Sequence, residues 1–248
     1  MSYDFNWRAP ELQHDLDSNN MQVGLAVDNW EPRIAPPKTT MSGQYCKLEP
    51  FDTQRHAQDL YAAFALDTQR RNWAYMPYGP FESFEEFTHW CSNTCTGEDP
   101  LFHAIIDLGN NQATGVASYL RIAAAIGSIE VGHIHFSPLL QGTRLATEAM
   151  YLMMRRVFDE LSYRRYEWKC NALNTPSCKA AERLGFQFEG IFRQATISKN
   201  RNRDTAWFSI LDHEWPVLKQ GFERWLAEGN FAEDGQQIKS LHECVEAQ

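Results

Sequence analysis

The passage SPLLQGTRLATEAMYLM, residues 137–153, sets a glycine and two threonines between an apolar run and a helix-period segment. Free N–H groups at a helix start, with the positive end of the macrodipole, make a ready site for a phosphate. Gly142 lacks a Cβ and lets backbone approach a ligand closely, and Thr143 and Thr147 add hydroxyl donors. The same residues also make an ordinary helix entry with an N-cap. The lysine of a nucleotide-triphosphate loop is absent and G-x-G-x-x-G is not matched, so the pattern points to a different pyrophosphate-bearing ligand.

Just upstream, GSIEVGHIHFSP carries groups that could move a proton: Glu130, His133 and His135. In a regular strand Glu130 and His133 point to opposite faces, whereas His133 and His135 share one. A carboxylate at a sheet centre can serve as a base, or it can be a solvated strand carboxylate. An imidazole titrates near neutrality, or packs as a hydrogen-bonded core residue.

Alternation and helical spacing predict the elements that position these groups. A strand from Gly43 precedes a helix over 52–66; an aromatic loop with Trp73, Tyr75, Tyr78 and Phe81 leads to a helix over 82–95. Strands at 101–108, 113–123 and 127–138, joined by short turns, imply an antiparallel meander. A helix over 143–161, a strand over 165–172 and a short helix over 176–184 stopped by Gly185 make a crossover unit, so the sheet is mixed. Strands at 186–193, 195–198 and 205–212, around the polar turn KNRNRD, precede a helix over 214–226. Residues 1–42, with Pro10, Pro32, Pro36 and Pro37, read as an irregular arm, 43–228 as the folded domain, and 229–248 as a polar tail.

The second passage, NALNTPSCKAAERLGF at 171–186, closely resembles the acetyl-CoA core of GNAT N-acetyltransferases, in particular the RimJ/RimL-type, ribosomal-protein-alanine branch. Its N-x-x-S element before a helix ending in L-G-F is matched by Asn174, Ser177, Leu184, Gly185 and Phe186. The resemblance runs from about Gly43 to Pro216 and implies an α+β fold with a mixed, splayed sheet of about seven strands and helices on both faces. It implies acetyl transfer from acetyl-CoA directly to an amine of a small molecule or a protein N-terminus. The alternative is a non-catalytic acyl-CoA-binding or regulatory module.

By the same resemblance, the backbone of Phe136, Ser137 and Leu139 pairs with the pantetheine arm, and Gln141, Gly142, Thr143, Arg144, Leu145, Ala146 and Thr147 cradle the pyrophosphate. Asn174 and Ser177 meet the thioester end, Ser177 positioning the sulfur or relaying a proton. Glu130 is the first candidate for deprotonating the acceptor, with His133 or His135 as the alternative. Two departures from the family pattern stand out: Arg144 occupies a position usually glycine, and Ala181 replaces the tyrosine that serves many members as acid. Arg193, Arg201, Arg203 and Asp204 cluster near the last hairpin, where Arg203 and Asp204 could pair or an arginine could receive an acceptor carboxylate.

A formal net charge of -9 lacks the footprint of a nucleic-acid binder, and no apolar stretch is long enough to cross a membrane. The start, MSYDFNWRAPEL, has no secretory pattern, and six scattered cysteines fit reduced thiols, so a cytoplasmic monomer or homodimer is expected. Cys91 and Cys95 lack the second pair that a zinc site requires, so no metal is expected. Cys170 and Cys178 have no basic partner in sequence, which disfavours a thiolate nucleophile.

Overall fold

The computed structural model describes Tyr3, Phe5 and residues 11–247. Two short strands, β1 (Asp15–Leu16) and β2 (Gln22–Val23), pair within the N-terminal arm, and β3 (Met41–Ser42) ends it. The arm lies against the body: Trp30 Nε1 donates to the Ala125 carbonyl at 2.8 Å and Arg33 Nε to that of Ser162 at 2.9 Å. Strand β4 (Cys46–Pro50) then leads into helix α1 (Thr53–Ala65), whose N-cap Asp52 accepts the Arg55 N–H. Helix α2 (Phe84–Thr94) begins the same way on Ser83. Each such cap stabilises its helix by about 1 kcal/mol.

The meander follows as β5 (Leu101–Asp107), β6 (Gln112–Ala123) and β7 (Ser128–Phe136). Helix α3 (Arg144–Arg155), continued by a π turn over Arg156–Glu160, crosses over to β8 (Arg165–Asn171). Helix α4 (Thr175–Arg183), β9 (Gln187–Ser198), β10 (Arg201–Leu211), α5 (Trp215–Leu226) and α6 (Leu241–Glu246) complete the chain.

Eight strands form one mixed sheet in the order β3-β4-β5-β6-β7-β8-β10-β9, the expected architecture with one more strand, the two-residue β3. The final hairpin is simpler than expected. Lys199 (φ 49°) and Asn200 (φ 59°) close it as a two-residue turn, so Arg201–Asp204 belongs to β10 rather than to a loop. The sheet divides the core: α1 and α2 cover one face with Phe64, Phe87, Phe102 and Val116, while α3 and α5 cover the other with Ile129, Val131, Met153 and Phe222.

Only β7 and β8 run parallel, and they pair only from Ser128↔Arg165 to Val131↔Trp168. Beyond Val131 the two strands part, opening the sheet at its centre. At the same point β7 bulges: Val116 of β6 faces His135 and Ser118 faces Gly132, so two β7 residues oppose one. His133 takes a left-handed φ of 49° to accommodate the extra residue.

The bulge reverses the expected alternation. Ile129 and Val131 point toward α3, which leaves Glu130 on the face of α1 and α2. His133 packs on Phe102 and His135 on Phe64, both on that face. Glu130, His133 and His135 therefore share one side of the sheet, contrary to the reading of β7 as a regular strand.

Residues 229–247, expected as a polar tail, bury Leu241 and Cys244 against α5. Asn230 fixes the bend: it is 8% exposed and its side chain bonds the backbone of Trp225 and Lys239. These anchors were too sparse along the chain to give a period.

Candidate active site

At the end of β7 the chain folds into a tight turn. The Ser137 N–H donates to the Thr114 carbonyl at 3.1 Å, and the Ser137 carbonyl accepts from Leu140 and Gln141 at 2.9 and 3.0 Å. Gly142 supplies the left-handed step at φ 72°, with nothing within 4 Å of where a Cβ would stand. Thr143 then caps α3, its hydroxyl accepting the Ala146 N–H at 3.2 Å. Arg144 is the first helical residue, with an ordinary φ, so the missing glycine costs the turn no backbone strain. The other leading N–H groups of α3 have no partner within the helix, as at any helix start.

This turn opens onto a cleft of about 1380 Å³ that reaches the splay between β7 and β8. Phe136, Gln141, Gly142, Thr143, Arg144, Leu145, Ala146 and Thr147 line it, and Asn174, Ser177 and His135 stand on the same lining. Ser137 and Leu139 do not. Ser137 is fully buried with its backbone committed to the turn, and Leu139 projects outward, 53% exposed. The Phe136 carbonyl is itself taken by Gln141 Nε2 at 2.8 Å. Within 137–139 the Ser137 N–H and carbonyl are thus already engaged, while among the described residues nothing holds the Leu139 N–H.

Asn174 caps α4, its side-chain oxygen accepting the Ser177 N–H at 3.3 Å. The Ser177 hydroxyl accepts the indole N–H of Trp168 at 3.1 Å, which leaves its own hydrogen to donate elsewhere. The Cys170 and Cys178 sulfurs lie 3.6 Å apart beneath this helix, and neither lines the cleft. The hydrogen bond from Cys178 holds the Cys170 thiol below its usual range, and the same bond pushes Cys178 up.

The three candidate bases differ sharply in their surroundings. Glu130 is 3% exposed and its carboxylate is engaged by Arg121 at 2.8 Å and Lys169 at 2.9 Å, away from the cleft lining. His133 is likewise absent from the lining; its Nδ1 meets the Tyr78 hydroxyl at 3.1 Å. Burial, then the charges of Arg121 and Arg203, push it down to about 4. His135 alone reaches the cleft, its ring 4.0 Å from that of Trp73 and 4.3 Å from that of Phe64. Burial pushes it down to about 4 against a small opposing pull from Asp67. It is neutral at pH 7, with a lone pair to offer.

Of the aromatic loop, Tyr75 lines the cleft and reaches the Leu173 carbonyl at 3.0 Å, Trp73 and Tyr78 hold the histidines, and Phe81 packs on Phe87 and Trp90. Arg183, unannounced by any motif, donates to Thr147 at 3.1 Å, while Arg144 of the turn lies between the rings of Tyr45 and Phe231, 4.0 and 4.3 Å from their centres. Phe231 and residues 235–237 bring the C-terminal segment onto the cleft rim.

A mixed sheet splayed at its one parallel pair, with a glycine turn and helix start at the opening, defines an acyltransferase. Residues 46–187 match the acetyltransferase (GNAT) domain family, and the chain belongs to it. A GCN5-related N-acetyltransferase from Brucella melitensis shares 45% identity with a TM-score of 0.87, covering 89% of this chain and 100% of that one. A probable GNAT acetyltransferase from Chromobacterium violaceum shares 39% with a TM-score of 0.74, covering 84% and 100%. The uncharacterized N-acetyltransferase p20 of Bacillus licheniformis is 30% identical over 45% of this chain and 62% of its own length. The match to the uncharacterized N-acetyltransferase YnaD of Bacillus subtilis is 29% identical over 35% of this chain and spans 50% of that relative.

Proposed function

We propose that the protein moves acetyl from acetyl-CoA directly to an amine of a small molecule or a protein N-terminus, within the RimJ/RimL-type branch that Asn174, Ser177 and Gly185-Phe186 resemble. One observation carries this reading: a single cleft joins the start of α3 to His135 and Ser177 at the splay. The α3 turn supplies N–H donors for the pyrophosphate, with Arg144 and Arg183 adding positive charge on the same wall. His135, kept neutral by burial, takes a proton from the acceptor nitrogen as that nitrogen bonds to the thioester carbon. As the carbon–sulfur bond breaks, the Ser177 hydroxyl donates toward the departing sulfur, its lone pair held by Trp168. Glu130 positions Lys169 and Arg121 rather than acting as the base, because both cations occupy its carboxylate. The reaction is set in the cytoplasm, where acetyl-CoA is made and used.

Calorimetry with acetyl-CoA, paired with thiol release over a panel of amines and N-terminal peptides, tests this. Binding with thiol release on at least one amine is expected. Tight binding without turnover on any amine would instead support the regulatory module, and absence of binding would remove both readings.

A further inference from the structure

On the face of the sheet that carries His133 and His135, side chains of β6, β7, β8 and β9 build a compact ion cluster. Arg121 and Lys169 hold Glu130, Lys169 and Arg165 hold Glu167, and Arg165 holds Glu189. Three cations there meet three carboxylates, and the set is balanced. Arg203 adds a fourth cation. Its charge bears on Glu130, Arg121 and His133, yet its Nε is buried with no hydrogen-bond partner among the described residues. Asp204, its neighbour in sequence, is occupied elsewhere: its carboxylate accepts from the Gln194 N–H at 2.7 Å and from Asn202 at 2.9 Å.

A second orphan lies on the same strand. Trp207 Nε1 is also buried without an acceptor, on an indole that stacks on Phe192 and carries Lys169 Nζ 3.7 Å over its ring. Arginine and tryptophan side chains donate and never accept, so both positions ask for an oxygen. A buried donor left without an acceptor is costly, more so beside a charge, and a ligand that supplies acceptors would relieve that cost. Arg203 and Trp207 stand off the cleft lining, but the hairpin that leads into β10 is tied to it. Lys199, at the tip of the β9–β10 hairpin, bonds the Trp73 carbonyl at 2.8 Å, and Trp73 carries His135.

We propose that Arg203, four residues before Trp207 on β10, receives a carboxylate of the acceptor, so that the amine acetylated is one that carries an acid group. In a chain of net charge -9, a half-buried cation with no hydrogen-bond partner among the described residues suits an anion arriving with the substrate. This rests on the acetyl-transfer reading above for the role of the site, while the anion site itself is separable from it.

Two arms test it on the full chain. Ligand-observed NMR compares N-acetyl amino acids, which mimic the product, with their carboxamides. Wild type is expected to bind carboxylates of the panel at least about 10-fold more tightly than the matched amides, Arg203→Gln to lose that preference by about 10- to 100-fold, and Arg203→Lys to retain part of it. Thiol release then compares amino acids with their amides: KM for the acid member should rise by the same factor in Arg203→Gln, with KM for acetyl-CoA unchanged. Equal binding of acids and amides across the panel by wild type, or a preference that survives in Arg203→Gln, overturns the proposal. Arg203-dependent binding without turnover of any amine would uphold the anion site and sink the acetyl-transfer reading instead.

Discussion

His135 and His103 tie the chemistry of the site to the stability of the fold through pH. His135 is 3% exposed and held down to about 4; His103 is fully buried, with neither ring nitrogen hydrogen-bonded, and is held down to about 3. In the unfolded chain both return to about 6.5. Between pH 6.5 and their folded values, the unfolded state binds protons the native state refuses, so stability rises with pH through that window and is flat above it. At pH 5 each histidine has lost about 2 kcal/mol of the stability it contributes at neutral pH, and the pair about 4 kcal/mol. His133, also held down to about 4, adds about as much again as His135, and His56, pushed down by burial, adds in the same direction. Urea unfolding at pH 7.5 and pH 5 measures this. His135→Phe retains an aromatic ring between Trp73 and Phe64 and should reduce the difference between the two pH values by about 2 kcal/mol. If the variant shows the same pH dependence as wild type, His135 is not buried as a neutral base, and its assignment in the transfer step falls with that result.

Ser177→Ala should lower kcat by about 10- to 100-fold with little change in KM for acetyl-CoA, in line with the usual worth of a hydrogen bond to a developing thiolate; an unchanged kcat in steady-state kinetics would remove Ser177 from the mechanism. Glu148→Gln should be among the most destabilising changes in the protein, because that carboxylate accepts the N–H groups of Gln44, Tyr45 and Cys46 at 2.7 Å each. An amide offers one acceptor in place of two, so a loss of at least about 3 kcal/mol, or on the order of 6–12 °C in Tm, is expected in thermal unfolding. Arg144→Gly restores the glycine usual in the family but removes the guanidinium between Tyr45 and Phe231. It should cost about 1–2 kcal/mol and make residues 232–240 more sensitive to limited proteolysis.

What the sequence discloses follows from how local each determinant is. Gly142, Thr143 and the Asn174-to-Phe186 element act within a few residues, and the structure brings Gly142, Thr143, Asn174 and Ser177 to one cleft. Lys169 could not be assigned to Glu130 from spacing, because their contact depends on the parallel register Glu130↔Glu167, which the α3 crossover sets across the sheet. His133 and His135 share a face as expected, but their separation from Glu130 was misread for a related reason: period-2 alternation assumes a regular strand, and the bulge is visible only against β6.

That bulge is also where the local rule is broken at a cost. A left-handed φ at a histidine costs on the order of 1 kcal/mol or more and persists only where the surroundings fix it. Here the Tyr78 hydroxyl on Nδ1 and the Phe102 ring hold His133 in place, and the register they enforce turns His135 toward the cleft. In an unbulged strand, Ile129, Val131, His133 and His135 would all point toward α3, and the neutral imidazole would be lost from the face of α1 and α2. The strained residue and the proposed proton acceptor are thus two positions of one device: His133 bears the distortion that places His135.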